Sequence, residues 1–274
     1  MKRHRLIILS AALLVMIAAV SCRSGKTVTA TAPVPVSGTE ETLAFDSVEW
    51  HDSAVVRPNG ITRVDYKCVY PVKGNKALTD SIMRWIREQY GDSACNGTAD
   101  MRTVLEKSGR KTVAADKAEL AEILSYREGG DGFPMEYATD IRTFVEYESA
   151  DYVTLLCQTY TYRAGAHGLT VNNAVTFSVK DGSRCGWSLL QGMTKKEITD
   201  KIKTGLAEYF RQADSDFGGN LRDMLLGVSE ADYENNFPLP AFPPYLTKNG
   251  VTVLYQQYEI APYAAGMPNC VIKP

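Results

Sequence analysis

Histidine is scarce in this chain: three in 274 residues, His4, His51 and His167. Imidazole is the commonest metal ligand and a frequent acid or base, so little remains from which to build such sites. No H-x-x-x-H or H-x-D cluster and no CxxC pair occurs, which excludes the usual zinc patterns. A Ser-His-Asp arrangement needs its histidine within reach of a nucleophile and a carboxylate. Neither His51 nor His167 is accompanied by a G-x-S-x-G elbow. There is no P-loop and no G-x-G-x-x-G after a strand, so no cofactor is expected. Excess charge is missing too: 30 Lys and Arg stand against 32 Asp and Glu, a formal charge of -2. Without a basic footprint, nucleic acid is not an expected partner.

Long hydrophobic runs are confined to the start of the chain. Lys2, Arg3 and Arg5 precede an apolar stretch from Leu6 to Val20, short for a transmembrane helix and right for an export signal. It ends Ala19-Val20-Ser21-Cys22, which resembles the lipobox of bacterial lipoproteins with Ala19 in place of the usual leucine. This predicts a lipoprotein signal peptide over 1–21, with Cys22 acylated and the mature chain anchored through its lipid. The stretch 22–42 is then a Ser-, Thr-, Ala- and Pro-containing tether, reaching roughly 70 Å when extended. No acidic cluster follows Cys22 of the kind that resembles surface-export signals. The expected location is the cell envelope, at the outer membrane facing the periplasm. Five cysteines remain, Cys68, Cys95, Cys157, Cys185 and Cys270. Export permits disulfides, an odd number leaves at least one thiol unpaired, and the spacing fixes no connectivity.

What is present fits a folded core, with 45% hydrophobic residues and 15 tyrosines against 8 Phe and 3 Trp. Tyrosine has an apolar face and a polar tip, suited to interfaces and sugar-binding surfaces; it is also an ordinary strand residue. Strands are expected over Phe45–Trp50 and Ile61–Val72, then a helix carrying Leu78, Ile82, Trp85 and Ile86 that stops at Gly91. A short helix capped by Thr98 and bearing Met101, Val104 and Leu105 follows, then a separate helical segment from about Val113 to Tyr126. Beyond the loop at Gly129–Gly132, Ile141–Glu148 and Tyr152–Tyr162 read as a hairpin. Cys157 alternates with Val153 and Leu155, as a buried small hydrophobe. Val171, Asn173, Val175, Phe177 and Val179 alternate next, and Asp181-Gly182 turns the chain back toward Trp187 and Leu189. Thr194-Lys195-Lys196-Glu197 matches a capping box opening a helix with Ile198, Ile202, Leu206 and Tyr209 inward. A proline-rich loop over Phe237–Pro244 and a turn at Asn249-Gly250 lead to a last strand, Val251–Ile260. Grouped helices and antiparallel hairpins predict an α+β fold, an antiparallel sheet with helices packed on it.

The candidate chemistry centres on Tyr160–Gly168, Y-T-Y-R-A-G-A-H-G. A tyrosine-bearing strand ends there in a small-residue loop, where Gly165 and Gly168 permit positive φ or close backbone approach. The ring of His167 is either displayed to a ligand or bonded to loop carbonyls. Glu146 and Glu148 share one face of a strand; two carboxylates serve glycosidases, and they also suit a solvated face.

The same run resembles the Y-x-Y-T-G-G-A-H-G signature of a bacterial extracytoplasmic domain. That domain occurs in the lysozyme-binding anti-sigma-V factor (RsiV-like proteins) and beside the catalytic domain of a peptidoglycan deacetylase. Tyr255–Gly266, Y-Q-Q-Y-E-I-A-P-Y-A-A-G, resembles the family's Y-E-I-A-P-Y-A-x-G terminus, followed by an apolar strand such as Cys270-Val271-Ile272. Lys180-Asp181-Gly182 and the capped helix fall where the family has its K-x-G turn and helix. Arg163 and Ala164 depart from the family's Thr-Gly. The resemblance divides the unit into an N-terminal part, 43–168, and a C-terminal part, 169–274. It implies an α+β fold and a non-catalytic binding role, for a lysozyme-like protein or a peptidoglycan-type glycan. Its ligand-binding residues are expected to be Tyr160, Tyr162, His167, Tyr258 and Tyr263. The alternative is a cell-wall hydrolase using His167 with a carboxylate such as Glu259.

Overall fold

The computed structural model describes residues 42–91, 100–126, 132–213 and 218–273. The expected signal segment, Cys22 and most of the expected tether, together with Cys95, Thr98 and Gly129–Asp131, lie outside the described residues. The chain from Glu40 onward forms one compact unit.

The unit is α+β. Its main sheet has six strands in sequential order: β1 (Ala44–Val56), β2 (Gly60–Lys73), β3 (Met135–Glu148), β4 (Tyr152–Arg163), β5 (Leu169–Ser178) and β6 (Arg184–Cys185). Every junction is antiparallel except β2–β3, which is parallel. A parallel neighbour requires a crossover, here the helices α1 (Lys76–Gln89) and α2 (Met101–Ser125). Strict alternation orients the strands: Val64, Tyr66 and Cys68 of β2 and Val153, Leu155 and Cys157 of β4 pack against Leu78, Ile82, Trp85, Ile86 and Leu105 of the helices. Asn75 caps α1 by accepting the amides of Ala77 and Leu78, and Gly91, at φ 71°, follows its end. The two helical segments expected between Met101 and Tyr126 are one helix, capped by Asp100. Gly109 lies between those two segments. In the fold it is the place where Trp50 of β1 lies against the helix: a Cβ there would meet the indole at 1.9 Å.

The C-terminal residues build a second layer on the other face. Thr194 and Glu197 form the expected capping box, each accepting the other's amide, and open α3 (Lys195–Ala213). A six-residue helix, α4 (Glu230–Asn235), precedes a three-stranded sheet of β7 (Tyr245–Thr247), β8 (Gly250–Leu254) and β9 (Asn269–Ile272). Ile202, Leu206 and Phe210 of α3 share a core with Val251, Val253, Cys270 and Ile272. Two segments differ from the sequence reading. After the turn at Gly182 only Arg184 and Cys185 pair with β5, and Trp187–Leu190 is a 3-10 turn. The expected strand Val251–Ile260 ends at Leu254, because β9 reaches no further and the chain beyond is held by side chains. The layers meet where Thr154 donates to the Leu246 carbonyl and Thr176 accepts the Leu246 amide, each at 2.8 Å, beside Leu156, Ala174, Tyr245 and Leu254.

The four described cysteines, Cys68, Cys157, Cys185 and Cys270, are free thiols. Cys157 faces Thr143 across β3, and Cys68 lies on the far side of Thr143, one strand beyond. Two strand spacings are about 9–10 Å, too wide for a disulfide. Burial pushes the thiols of Cys68, Cys157 and Cys270 up to about 11, 12 and 12, so they remain protonated and unreactive at neutral pH.

Candidate functional site

Three of the five expected site residues meet in an exposed aromatic cluster. His167, in the β4–β5 loop, stacks on Tyr263 with ring centroids 3.7 Å apart and planes at 14°. Its Nε2 is 2.9 Å from the Tyr258 hydroxyl and its Nδ1 3.1 Å from the Gly168 carbonyl. His167 is exposed, Tyr258 is 53% exposed and Tyr263 half-buried. One ring nitrogen of His167 faces main chain, while the ring stands at the surface among tyrosines. Tyr160 adjoins the cluster through Gly168, where an added Cβ would meet its ring at 2.2 Å. Tyr162 turns to the loop instead, donating to the Gly165 carbonyl at 3.0 Å.

The backbone under the cluster is strained. Tyr258 sits at φ 66° and Ala164 at φ 55°, a left-handed region that costs an L-residue about 1–2 kcal/mol. Positive φ falls on Ala164, not on Gly165 or Gly168; the use of Gly168 is close approach. Such outliers concentrate at functional sites, and here one projects the Tyr258 ring toward solvent and His167.

The segment carrying Tyr258 and Tyr263 is fastened by side chains that the sequence does not announce. Gln256 takes the place of a strand beside β5: its Oε1 accepts the Asn172 amide at 2.8 Å and its Nε2 donates to the Asn172 carbonyl at 3.0 Å. Gln257 accepts the Thr170 amide at 2.7 Å. Glu259 accepts the amides of Gln256 and Ala241, so both its oxygens organise main chain rather than His167. Tyr209 of α3 donates to Ala265 and Tyr255 to Pro238, both at 2.7 Å. A Y-Q-Q-Y string reads as strand alternation; only the fold brings the glutamines to the β5 edge.

Arg163, where the resembling family has threonine, is also accounted for. Its guanidinium lies 3.1 Å from Asp116 of α2, 3.2 Å from the Thr139 hydroxyl and over the Tyr137 ring. Asp116 is buried and also accepts from Thr62. Burial pushes its carboxyl above the ordinary range, against the opposing pull of Arg163. The arginine therefore ties the end of β4 to α2 beneath the site.

Glu146 and Glu148 lie at the exposed end of β3, Glu146 in a register shift between Val145 and Tyr147 and Glu148 beyond it, away from His167 in the chain's pairing. Among the described residues no group of three or more His, Cys, Asp or Glu is placed to hold a metal ion. No described helix is long and apolar enough to cross a membrane. The arrangement holds flat rings, a hydroxyl and an imidazole together at one surface.

No curated protein matches the chain. A member of the DUF3298 family from Bacteroides fragilis has the same fold, with a TM-score of 0.68 at 19% identity over 85% of this chain and 91% of that one. A DUF3298 family protein from Pseudomonas aeruginosa aligns over 86% of this chain and 93% of its own, with a TM-score of 0.48 and 14% identity. Residues 190–273, from the end of the 3-10 turn through α3 and the three-stranded sheet, with Tyr258 and Tyr263 but not His167 or Tyr160, match the family described as Protein of unknown function (DUF3298).

Proposed function

We propose that this chain is a non-catalytic, lipid-anchored binding module of the bacterial cell envelope. Its recognition surface is the cluster of His167, Tyr258 and Tyr263 with Tyr160 beside it. The observation that carries this reading is the exposed Tyr258 ring, held at φ 66° and bonded to His167 by a segment fastened at several points. Strained backbone supporting an exposed aromatic group is poorly explained by stability alone. The RsiV-like resemblance of both motifs supports a wall-associated ligand, a lysozyme-like protein or a peptidoglycan-type glycan. The lipobox and tether support anchoring through Cys22, in the outer membrane facing the periplasm. The hydrolase alternative is weakened because the carboxylate oxygens of Glu259 are engaged by amides.

The test is retention of the purified full-length protein, in detergent, on peptidoglycan sacculi and on immobilised lysozyme. One of the two is retained, and Tyr258→Ala lowers that retention by about tenfold, a loss of roughly 1.4 kcal/mol, without changing the circular dichroism spectrum. Retention of neither ligand, or full retention by the variant, sinks the reading. Anchoring is read by fractionation: Cys22→Ala moves the protein from the membrane to the soluble fraction, and an unchanged distribution counts against lipidation.

A further inference from the structure

The face of the main sheet opposite α1 and α2 carries a row of polar side chains that runs into the aromatic cluster. The strand registers align His51 with Asp65, Asp65 with Asp140, and Asp140 with Tyr160. By the alternation of each strand, all four point away from α1 and α2, since Val48 and Trp50 of β1, Val64 and Tyr66 of β2, Ile141 of β3 and Cys157 of β4, each an odd number of positions away on its strand, pack on the helix side. His51 is exposed and the other three are half-buried. The row crosses three strand spacings, about 14 Å. It ends at Tyr160, whose ring covers Gly168 next to His167. The two histidines that follow the signal segment thus bracket one line across the sheet.

We propose that this row is the extended part of the binding site, and that its ligand is a linear, uncharged, hydroxyl-rich chain, a glycan, lying across the strands from the cluster to His51. The proposal rests on the binding-module reading above and narrows it. Three observations select this ligand.

First, the cations of the face are matched by carboxylates of the same face. Lys67 is 2.9 Å from Glu49, Arg142 is 4.0 Å from Asp140, and Arg63 is paired with Glu136. Such a surface has little net field to attract a highly charged partner of either sign. It is nonetheless dense in hydrogen-bond donors and acceptors, which sugar hydroxyls satisfy in both directions. Second, Asp65 and Asp140 stand side by side on adjacent strands. Like charges directly opposite one another destabilise a sheet, and Arg142, 4.0 Å from Asp140, offsets this only in part. Carboxylates that accept from ligand hydroxyls give their placement a role. Third, the row joins polar side chains at one end to tyrosine rings at the other, and ring faces suit the apolar faces of sugar rings.

Titration calorimetry of the full-length protein in detergent with the di-, tetra- and hexasaccharide of N-acetylglucosamine tests the proposal, with lysozyme as a second titrant. Affinity increases with chain length. His51→Ala and Asp140→Asn each weaken hexasaccharide binding by about tenfold, and His51→Ala leaves disaccharide binding unchanged because the short ligand occupies only the aromatic end. His51 is exposed on the edge strand, so its variant folds regardless of the outcome at Asp140. Equal affinity at every length, unchanged hexasaccharide binding in both variants, or binding of lysozyme without glycan overturns the extended site and leaves the binding-module reading standing. Binding of neither titrant overturns both.

Discussion

At Gly109 close packing outweighs helix propensity. In a helix interior glycine is about 1 kcal/mol worse than alanine, yet Gly109 lies inside α2. The indole of Trp50 occupies the space a side chain would need, with three ring atoms within 2.6 Å of the would-be Cβ. Trp50 cannot simply move aside, because it also contacts Tyr66, at a ring-centroid separation of 6.0 Å. Overpacking of this kind costs about 1–3 kcal/mol, more than the gain in helix propensity. Gly109→Ala is therefore expected to destabilise the protein by about 1 kcal/mol despite the better helix former. Urea unfolding measures this, and a variant that is more stable than the parent would show that Trp50 is not seated against α2.

At the scale of elements, the Gln256–Gln257 clip decides whether the aromatic cluster exists. The end of β5 near Thr170 has β4 on one side only, and the glutamine side chains supply the bonds a further strand would have made. Gln256→Ala removes two of these, a loss of about 1–2 kcal/mol in total. The effect is local: amide exchange at Asn172 accelerates, while exchange at Thr176, paired with Cys185, does not change. Uniform acceleration along β5 would instead mean that the clip contributes only to global stability. The clip also shows where sequence reading stops. The capping box was legible because Thr194 and Glu197 bond over three residues, and the hairpins because their alternation is continuous. Gln256 and Asn172 are 84 residues apart, and nothing local in either segment encodes the meeting. The parallel β2–β3 junction and the continuity of α2 were hidden for the same reason: each depends on what a distant strand places against it. Within the site, His167, Tyr258 and Tyr263 were legible through the resemblance, whereas Gln256, Gln257 and the Arg163–Asp116 tie were not.

The whole molecule is a sheet covered on one face by α1 and α2 and partly on the other by the C-terminal layer, and its carboxylates divide by where this leaves them. Asp116, under the helix face, and Asp140, on the open face, both have their carboxyls raised above the ordinary range, chiefly by burial, with Asp65 adding to the effect at Asp140. Asp100, Asp181 and Glu197 are held below it by bonds from the amides of Thr103, Ser183 and Thr194 and from their hydroxyls. In the window above the ordinary carboxylate value the folded protein binds more protons than the unfolded chain at Asp116 and Asp140, so stability rises as pH falls through it. The capping carboxylates act oppositely. Their contribution is complete above the ordinary value and is lost as pH falls through their depressed values. Stability is thus expected to increase from neutral pH to a maximum near about pH 4–5 and to fall steeply below. The rise is read in urea midpoints taken across this range. Asp116→Asn flattens the rise without moving the acid limb, because the asparagine keeps the bond to Thr62 and no longer titrates. An unchanged slope in that variant would mean that Asp116 is ionised in the fold at no cost, with Arg163 fully offsetting its burial.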